Sequence, residues 1–161
     1  MKRNDMTNSL KQARNNKLKQ THLLIVGGGE LEQTLKEKVR ALDLNDAVTM
    51  PGMQLNVSEF LQAMDVFVFP SKSEGFGLSL VEAQASGLQC VASDNVPKET
   101  RVSDFVEYLN LESSSDVWVD KIVGAHDCDR ENVSKQACES IELCGYNIKC
   151  EAAALEKIYW S

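Results

Sequence analysis

One stretch constrains this chain more than any other: Val66-Phe67-Val68-Phe69, then Pro70 to Gly77, then Leu78 to Ala85. The first four residues are a continuous run of β-branched and aromatic side chains, the pattern of a strand buried on both faces. Pro70 lacks an N–H and cannot continue a ladder, and Gly75 and Gly77 open dihedrals closed to other residues. Leu78 to Ala85 suits a helix and is mostly apolar. The stretch therefore predicts a strand, a tight glycine-bearing turn and a buried helix. The start of that helix offers backbone N–H groups and the positive end of its dipole, a place for phosphate or another anion.

Two carboxylates frame the turn. Glu74 lies within it, and Glu82 lies eight residues on, among Leu80, Val81, Ala83 and Ala85. A carboxylate at Glu82 can accept two hydrogen bonds from a vicinal diol such as a ribose. Each acid also has a plainer reading. Glu82 suits a surface position near a helix N-terminus, where acids are favoured, and Glu74 suits a solvated loop. The spacing says more than either residue.

Ser73-Glu74-Gly75-Phe76-Gly77, followed by Glu82-Ala83-Gln84-Ala85-Ser86-Gly87, resembles the E-x7-E signature of retaining, nucleotide-sugar-dependent glycosyltransferases. The likeness is to family four, in its capsular and exopolysaccharide branch. It implies the C-terminal, donor-binding half of a GT-B fold: a Rossmann-like parallel sheet with helices on both faces. It also implies roles. Glu82 would bind the donor ribose. Glu74 would orient the donor sugar in the catalytic site, and Gly75, Phe76, Gly77 and Leu78 would contact the sugar and diphosphate. No metal or further cofactor is implied; the nucleotide diphosphate-sugar is the donor substrate.

The 161 residues suit one domain with a sizeable core, and 43% hydrophobic with 25% charged residues is a globular composition. A net charge of −7 argues against nonspecific nucleic-acid binding. No apolar run reaches the ~20 residues of a membrane span, and no signal peptide opens the chain. Five cysteines form no CxxC, which points to reduced cytosolic thiols rather than a zinc site, with Cys90 a small core residue.

Residues 1–20 are a polar, basic lead-in to a domain body at 21–161. Ser9 to Lys17 reads as the last turns of a helix. A basic tail for anionic lipid is the alternative, but Leu10, Ala13 and Leu18 make a poor apolar face. Thr21 to Val26 predicts a strand ending in Gly27-Gly28-Gly29. These glycines fail the dinucleotide fingerprint because position 32 is Glu. The resemblance puts Gly28 and Gly29 near the donor; a tight strand-to-helix turn explains them equally well.

Leu31 to Leu42 carries one apolar stripe and predicts a helix; Ala47 to Met50 predicts a strand closed by Pro51-Gly52. By position in the family, Met50 to Met53 lies near the base. A helix capped by Asn56 or Ser58 runs through Met64, and Gly87 is a natural stop for the helix after the turn. Strands follow at Leu88 to Ala92 and Phe105 to Leu109, with a short connector at Pro97 to Val102. The pattern then predicts a helix from Ser113–Asp116, a charged turn at Asp127–Glu131, and helices at Val133–Leu143 and Ile148–Tyr159.

The family's donor domain opens with a strand and a loop whose Arg and Lys bind the diphosphate, and nothing here matches them. The absent strand would be central, between the strands at 21–26 and 66–69, so those strands either keep free edges or pair directly. The expectation is therefore a chain in the cytoplasm or peripheral at the inner membrane face, that is the donor part of a transferase acting on a glycan or lipid-linked acceptor and inactive alone. The alternative is a non-catalytic nucleotide-sugar-binding subunit that needs a separate acceptor-domain chain or associates through open sheet edges. A generic Rossmann-like interaction domain is the third reading.

Overall fold

The computed structural model describes residues 21–125, 129–143, 152 and 156–160. Strands and helices alternate as the sequence predicts: β1 (Leu23–Val26), α1 (Glu32–Ala41), β2 (Val48–Gly52), α2 (Val57–Gln62), β3 (Val66–Phe69), α3 (Leu78–Ala85), β4 (Gln89–Ser93), β5 (Val106–Leu109), α4 (Ser115–Gly124) and α5 (Arg130–Leu143). A 3-10 turn at Lys98–Thr100 fills the connector after β4. The helices predicted at Ser9–Lys17 and across most of Ile148–Tyr159 lie outside the described residues.

All strand pairs are parallel, in two sheets. β1 pairs with β2, and β3, β4 and β5 form the second sheet in that order. Among the described residues β1 and β3 do not pair with each other, so each has one free edge. Direct pairing of these two strands, one of the two outcomes expected, is absent among the described residues.

The larger sheet is covered on both faces, and the period of two along β3 assigns them. Phe67 and Phe69 face a core of Leu61 from α2, Leu80 and Ala83 from α3, and Cys90 and Ala92 from β4. Val66 and Val68 face Val91, Trp118 and Ala125 on the α4 side. Yet all four β3 residues are only half-buried, not fully buried as their run of apolar side chains predicts. The cause is the free edge: covering both faces does not cover the side of a strand.

The smaller sheet has its own core: Ile25, Leu35, Val39 and Val48 from the first two strands and α1, with Leu44 from the connection between α1 and β2. Here β2 runs on through Pro51 and Gly52 rather than ending at Met50, with Val26 paired to Gly52 after a register shift. An edge strand tolerates that proline because its missing N–H removes no ladder bond on the open side.

α3 ends in a Schellman motif, in which Gly87 N–H donates to Gln84 O at 2.9 Å and Leu88 N–H to Ala83 O at 3.1 Å. Gly87 takes φ +79°, a left-handed conformation natural only to glycine. The stop predicted there is present.

α5 begins earlier than the sequence pattern suggests. Instead of a charged turn through Glu131, Asp129 accepts a hydrogen bond from the Asn132 N–H at 3.2 Å and caps a helix starting at Arg130. Arg130 then reaches across the molecule. Its guanidinium donates to the carbonyls of Gln62 at 3.1 Å, Met64 at 2.8 Å, Leu61 at 3.4 Å and Ser86 at 3.0 Å. One cation thus sits at the negative C-terminal ends of both α2 and α3. Arg130→Met is expected to lower stability by about 2 kcal/mol, and Arg130→Lys to recover less than half, because the ammonium lacks the planar fork. Urea denaturation of the three chains measures this.

Candidate functional site

α3 is buried nearly all round: Leu80, Val81, Ala83 and Gln84 face the interior. Leu78 and Glu82, four residues apart, share its exposed side. At ~1.5 Å per residue they lie about 6 Å apart along the axis. Among the described residues no hydrogen bond or ion pair engages the Glu82 carboxylate. The first turn has no acid and no side-chain cap, and Leu78 is 62% exposed. A helix whose positive end is left unopposed, with an unpaired carboxylate one turn along, can receive an anion and a hydroxyl-bearing group together.

Gly77 makes this start possible. It has φ +95°, and a Cβ there would lie 3.4 Å from Val96 Cγ1 and 3.5 Å from the Phe69 ring. Gly75 differs from expectation: its φ is not positive, it is exposed, and a Cβ would meet nothing within 4 Å. The turn's conformation therefore depends on Gly77, not on both glycines. The Phe76 side chain turns inward and packs with Val81, Val102 and Ala137, so its backbone is what remains for a ligand.

Glu74 is half-buried in the loop after β3. Its Oε1 accepts a hydrogen bond from Ser71 Oγ at 2.7 Å. The Ser71 carbonyl in turn accepts one from Ser93 Oγ at the end of β4. Glu74, Gly77, Leu78 and Glu82 thus lie on one strand–turn–helix unit that leaves the C-terminal end of β3, the edge where open α/β sheets bind ligands.

Gly28 and Gly29 sit elsewhere, after β1 at the C-terminal end of the smaller sheet. A Cβ on Gly28 would lie 3.0 Å from Met53 Cγ, so the glycine turn and the loop after β2 are in close approach. Met53 itself is 79% exposed.

Other residues shape the site without any period or spacing to announce them. Gln84 is fully buried and all its amide bonds are used. Its Nε2 donates to Leu80 O and Thr100 O, and its Oε1 accepts from Val102 N–H and Ser103 Oγ, which ties α3 to the connector after β4. Further along that edge, the Lys98 ammonium stands 3.3 Å from the centroid of the Tyr108 ring. Desolvation there holds the lysine pKa below its ordinary value, with Asp94 opposing the shift and Arg101 adding to it. Asp94, in the turn after β4, accepts a hydrogen bond from Asn110 Nδ2 at 3.1 Å. The available signal for Gln84 is a polar residue between Ala83 and Ala85 in a mostly apolar helix; Lys98 and Ser93 give none.

The family described as glycosyl transferases group 1 matches residues 4–139. The chain belongs to that family. The EpsF glycosyltransferase candidate of Bacillus subtilis (strain 168) is 32% identical over 138 residues, covering 85% of this chain and 36% of that protein. An Escherichia coli UDP-Gal:alpha-D-GlcNAc-diphosphoundecaprenol alpha-1,3-galactosyltransferase is 29% identical over 147 residues, covering 90% of this chain and 38% of that protein. The chain therefore spans little more than a third of either relative. The crystal structure of TarM superposes with a TM-score of 0.74 at 19% identity, over 98% of this chain and 32% of TarM. That likeness is one of fold: an α/β, Rossmann-like arrangement of parallel sheets and helices shared with GT-B glycosyltransferases. Among the described residues no helix is long and apolar enough to cross a membrane.

Proposed function

We propose that this chain is the donor-binding part of a retaining, hexosyl-type transferase. It would move a sugar from a nucleotide diphosphate-sugar to a glycan or a lipid-linked glycan precursor. One observation carries the reading: α3 presents an uncapped, acid-free N-terminus and, one turn along the same exposed side, the unpaired Glu82 carboxylate. Membership of a glycosyltransferase family makes a nucleotide-sugar the fitting occupant.

In this reading Glu82 accepts both ribose hydroxyls. The N–H groups at Gly77 and Leu78 hold the diphosphate and stabilise the negative charge that builds on it as the sugar leaves. Glu74 orients the sugar through its hydroxyls, with the backbone of Gly75 and Phe76 beside it. Gly28 and Gly29, with Met53 against them, would border the nucleoside. The chain would act in the cytoplasm or at the inner face of the membrane, and transfer would need an acceptor-binding part in addition.

The free edges of β1 and β3 favour a second form of this reading, a non-catalytic nucleotide-sugar-binding subunit. Such edges recruit strands, so a separate acceptor-domain chain or a second copy would cover them. Calorimetric titration with UDP and GDP, with light scattering for the oligomeric state, tests the site. Micromolar binding of one nucleotide is the expected result; no binding at millimolar nucleotide by a folded chain would overturn it. Co-expression with an acceptor-domain chain then separates a split enzyme, which regains transfer, from a binding subunit, which does not.

A further inference from the structure

We infer that Ser71, held in place by Ser93, is a positioning residue that presents the Glu74 carboxylate to the sugar of the donor. It would thereby set recognition of the sugar rather than of the nucleotide. The inference rests on the sugar-binding reading of Glu74 and adds the groups that make that carboxylate usable.

A glutamate in a glycine-bearing loop has three side-chain torsions to lose before it can hold a ligand in one geometry. Among the described residues no cation pairs with Glu74, unlike Glu32, which pairs with Lys36, and Glu107, which pairs with Lys121. What does hold it is the Ser71 hydroxyl. That hydroxyl has one hydrogen, and of its two acceptors Glu74 Oε1 at 2.7 Å is far closer than Ser73 O at 3.4 Å. Engaging Oε1 fixes the plane of the carboxylate and leaves Oε2 to accept from a ligand hydroxyl.

Ser71 is itself framed by two strands. Its N–H donates to Phe69 O at the end of β3 at 3.0 Å. Its carbonyl accepts from the hydroxyl of Ser93, which is wholly buried at the end of β4 and in turn accepts from Asn95 N–H at 3.3 Å. The carboxylate is thus referred to the rigid sheet through a single side-chain bond. Ser71→Ala removes that one bond and keeps the backbone carbonyl that Ser93 binds, so the loop retains its frame.

The test is calorimetric titration of the whole chain with UDP-galactose against UDP, and GDP-mannose against GDP. The quantity read is the ratio of nucleotide Kd to nucleotide-sugar Kd for the base that binds. Ser71→Ala should lower this ratio about 10-fold or more, the effect of one hydrogen bond to a charged group, while the Kd for free nucleotide moves less than about twofold. Ser71→Thr, which keeps the hydroxyl, should restore it. Ser71→Ala combined with Glu74→Ala should match Glu74→Ala alone.

If Glu74→Ala lowers the ratio and Ser71→Ala leaves it unchanged, the inference is wrong and the reading of Glu74 stands. An equal loss of nucleotide and nucleotide-sugar affinity in Ser71→Ala would mean general loop damage and would also overturn it. A wild-type chain that binds nucleotide-sugar no better than nucleotide, or a Glu74→Ala chain with an unaltered ratio, would remove the reading of Glu74 and this inference with it.

Discussion

Gly87→Ala is expected to destabilise the chain by about 3 kcal/mol or more, the largest loss from any single methyl group here. Two penalties combine. At φ +79° the new Cβ crowds its own backbone, which costs roughly 1–2 kcal/mol in the left-handed region. The same Cβ would collide with the Arg130 carbonyl oxygen and lie 3.2 Å from its carbonyl carbon and 3.3 Å from its Cβ. Those are atoms at the start of a helix, not the end of a flexible side chain, so relief requires moving α5; forced overpacking of this kind costs roughly 1–3 kcal/mol.

Moving α5 also withdraws the Arg130 guanidinium from the four carbonyls that end α2 and α3. The damage therefore reaches the helix that carries the candidate site. Urea denaturation should show a lower midpoint at unchanged slope. Gly124→Ala is the control. Gly124 is the last residue of α4, a Cβ there meets nothing within 4 Å, and alanine favours a helix, so stability should hold or rise. Equal midpoints for Gly87→Ala and wild type would mean that the close approach of α5 to the end of α3 is not tight.

The parts of this molecule legible in the sequence are those encoded over a few residues. Val66 to Phe69, the turn to Gly77 and the helix stopped by Gly87 each carry a local signal, and the structure places β3, α3 and a Schellman motif on them. The stripe of Leu35, Val39 and Leu42 likewise marks the buried side of α1.

What the sequence could not show depends on partners far along the chain. Ser93 lies 22 residues from Ser71, and the carbonyls that bind Arg130 lie between 44 and 69 residues away. Such pairings leave no period to read. The half-exposure of β3 has the same origin: an apolar run records that both faces are covered, but is silent about whether the strand has two neighbours. Asp129 sits in a run of charged residues that reads as a turn, and only its hydrogen bond from Asn132 N–H marks the start of α5. For the candidate site, the signature spacing brought Glu74 and Glu82 forward. It did not show that Phe76 packs inward, or that of Gly75 and Gly77 only the second has the left-handed backbone.

Glu82→Ala separates the site from the fold more cleanly than any other change. Glu82 is exposed and its carboxylate has no partner among the described residues, so its loss should leave stability within about 0.5 kcal/mol, with alanine the better helix former. Binding should respond differently. A carboxylate accepting from two ribose hydroxyls makes two charge-assisted hydrogen bonds, each worth ~1.5–3 kcal/mol. Removing both should weaken nucleotide affinity about 100-fold or more. Glu82→Gln keeps the shape and one acceptor oxygen, so its loss should be intermediate.

The ligand supplies the other half of a cycle. A 2′,3′-dideoxynucleoside diphosphate should bind the wild-type chain about as weakly as the normal nucleotide binds Glu82→Ala, and the variant should no longer distinguish the two. Weak binding of both ligands by a variant that unfolds like the wild type would confine the defect to the hydroxyl contact. Unchanged nucleotide affinity in Glu82→Ala would remove the ribose assignment and leave the start of α3 as an anion site without a nucleoside.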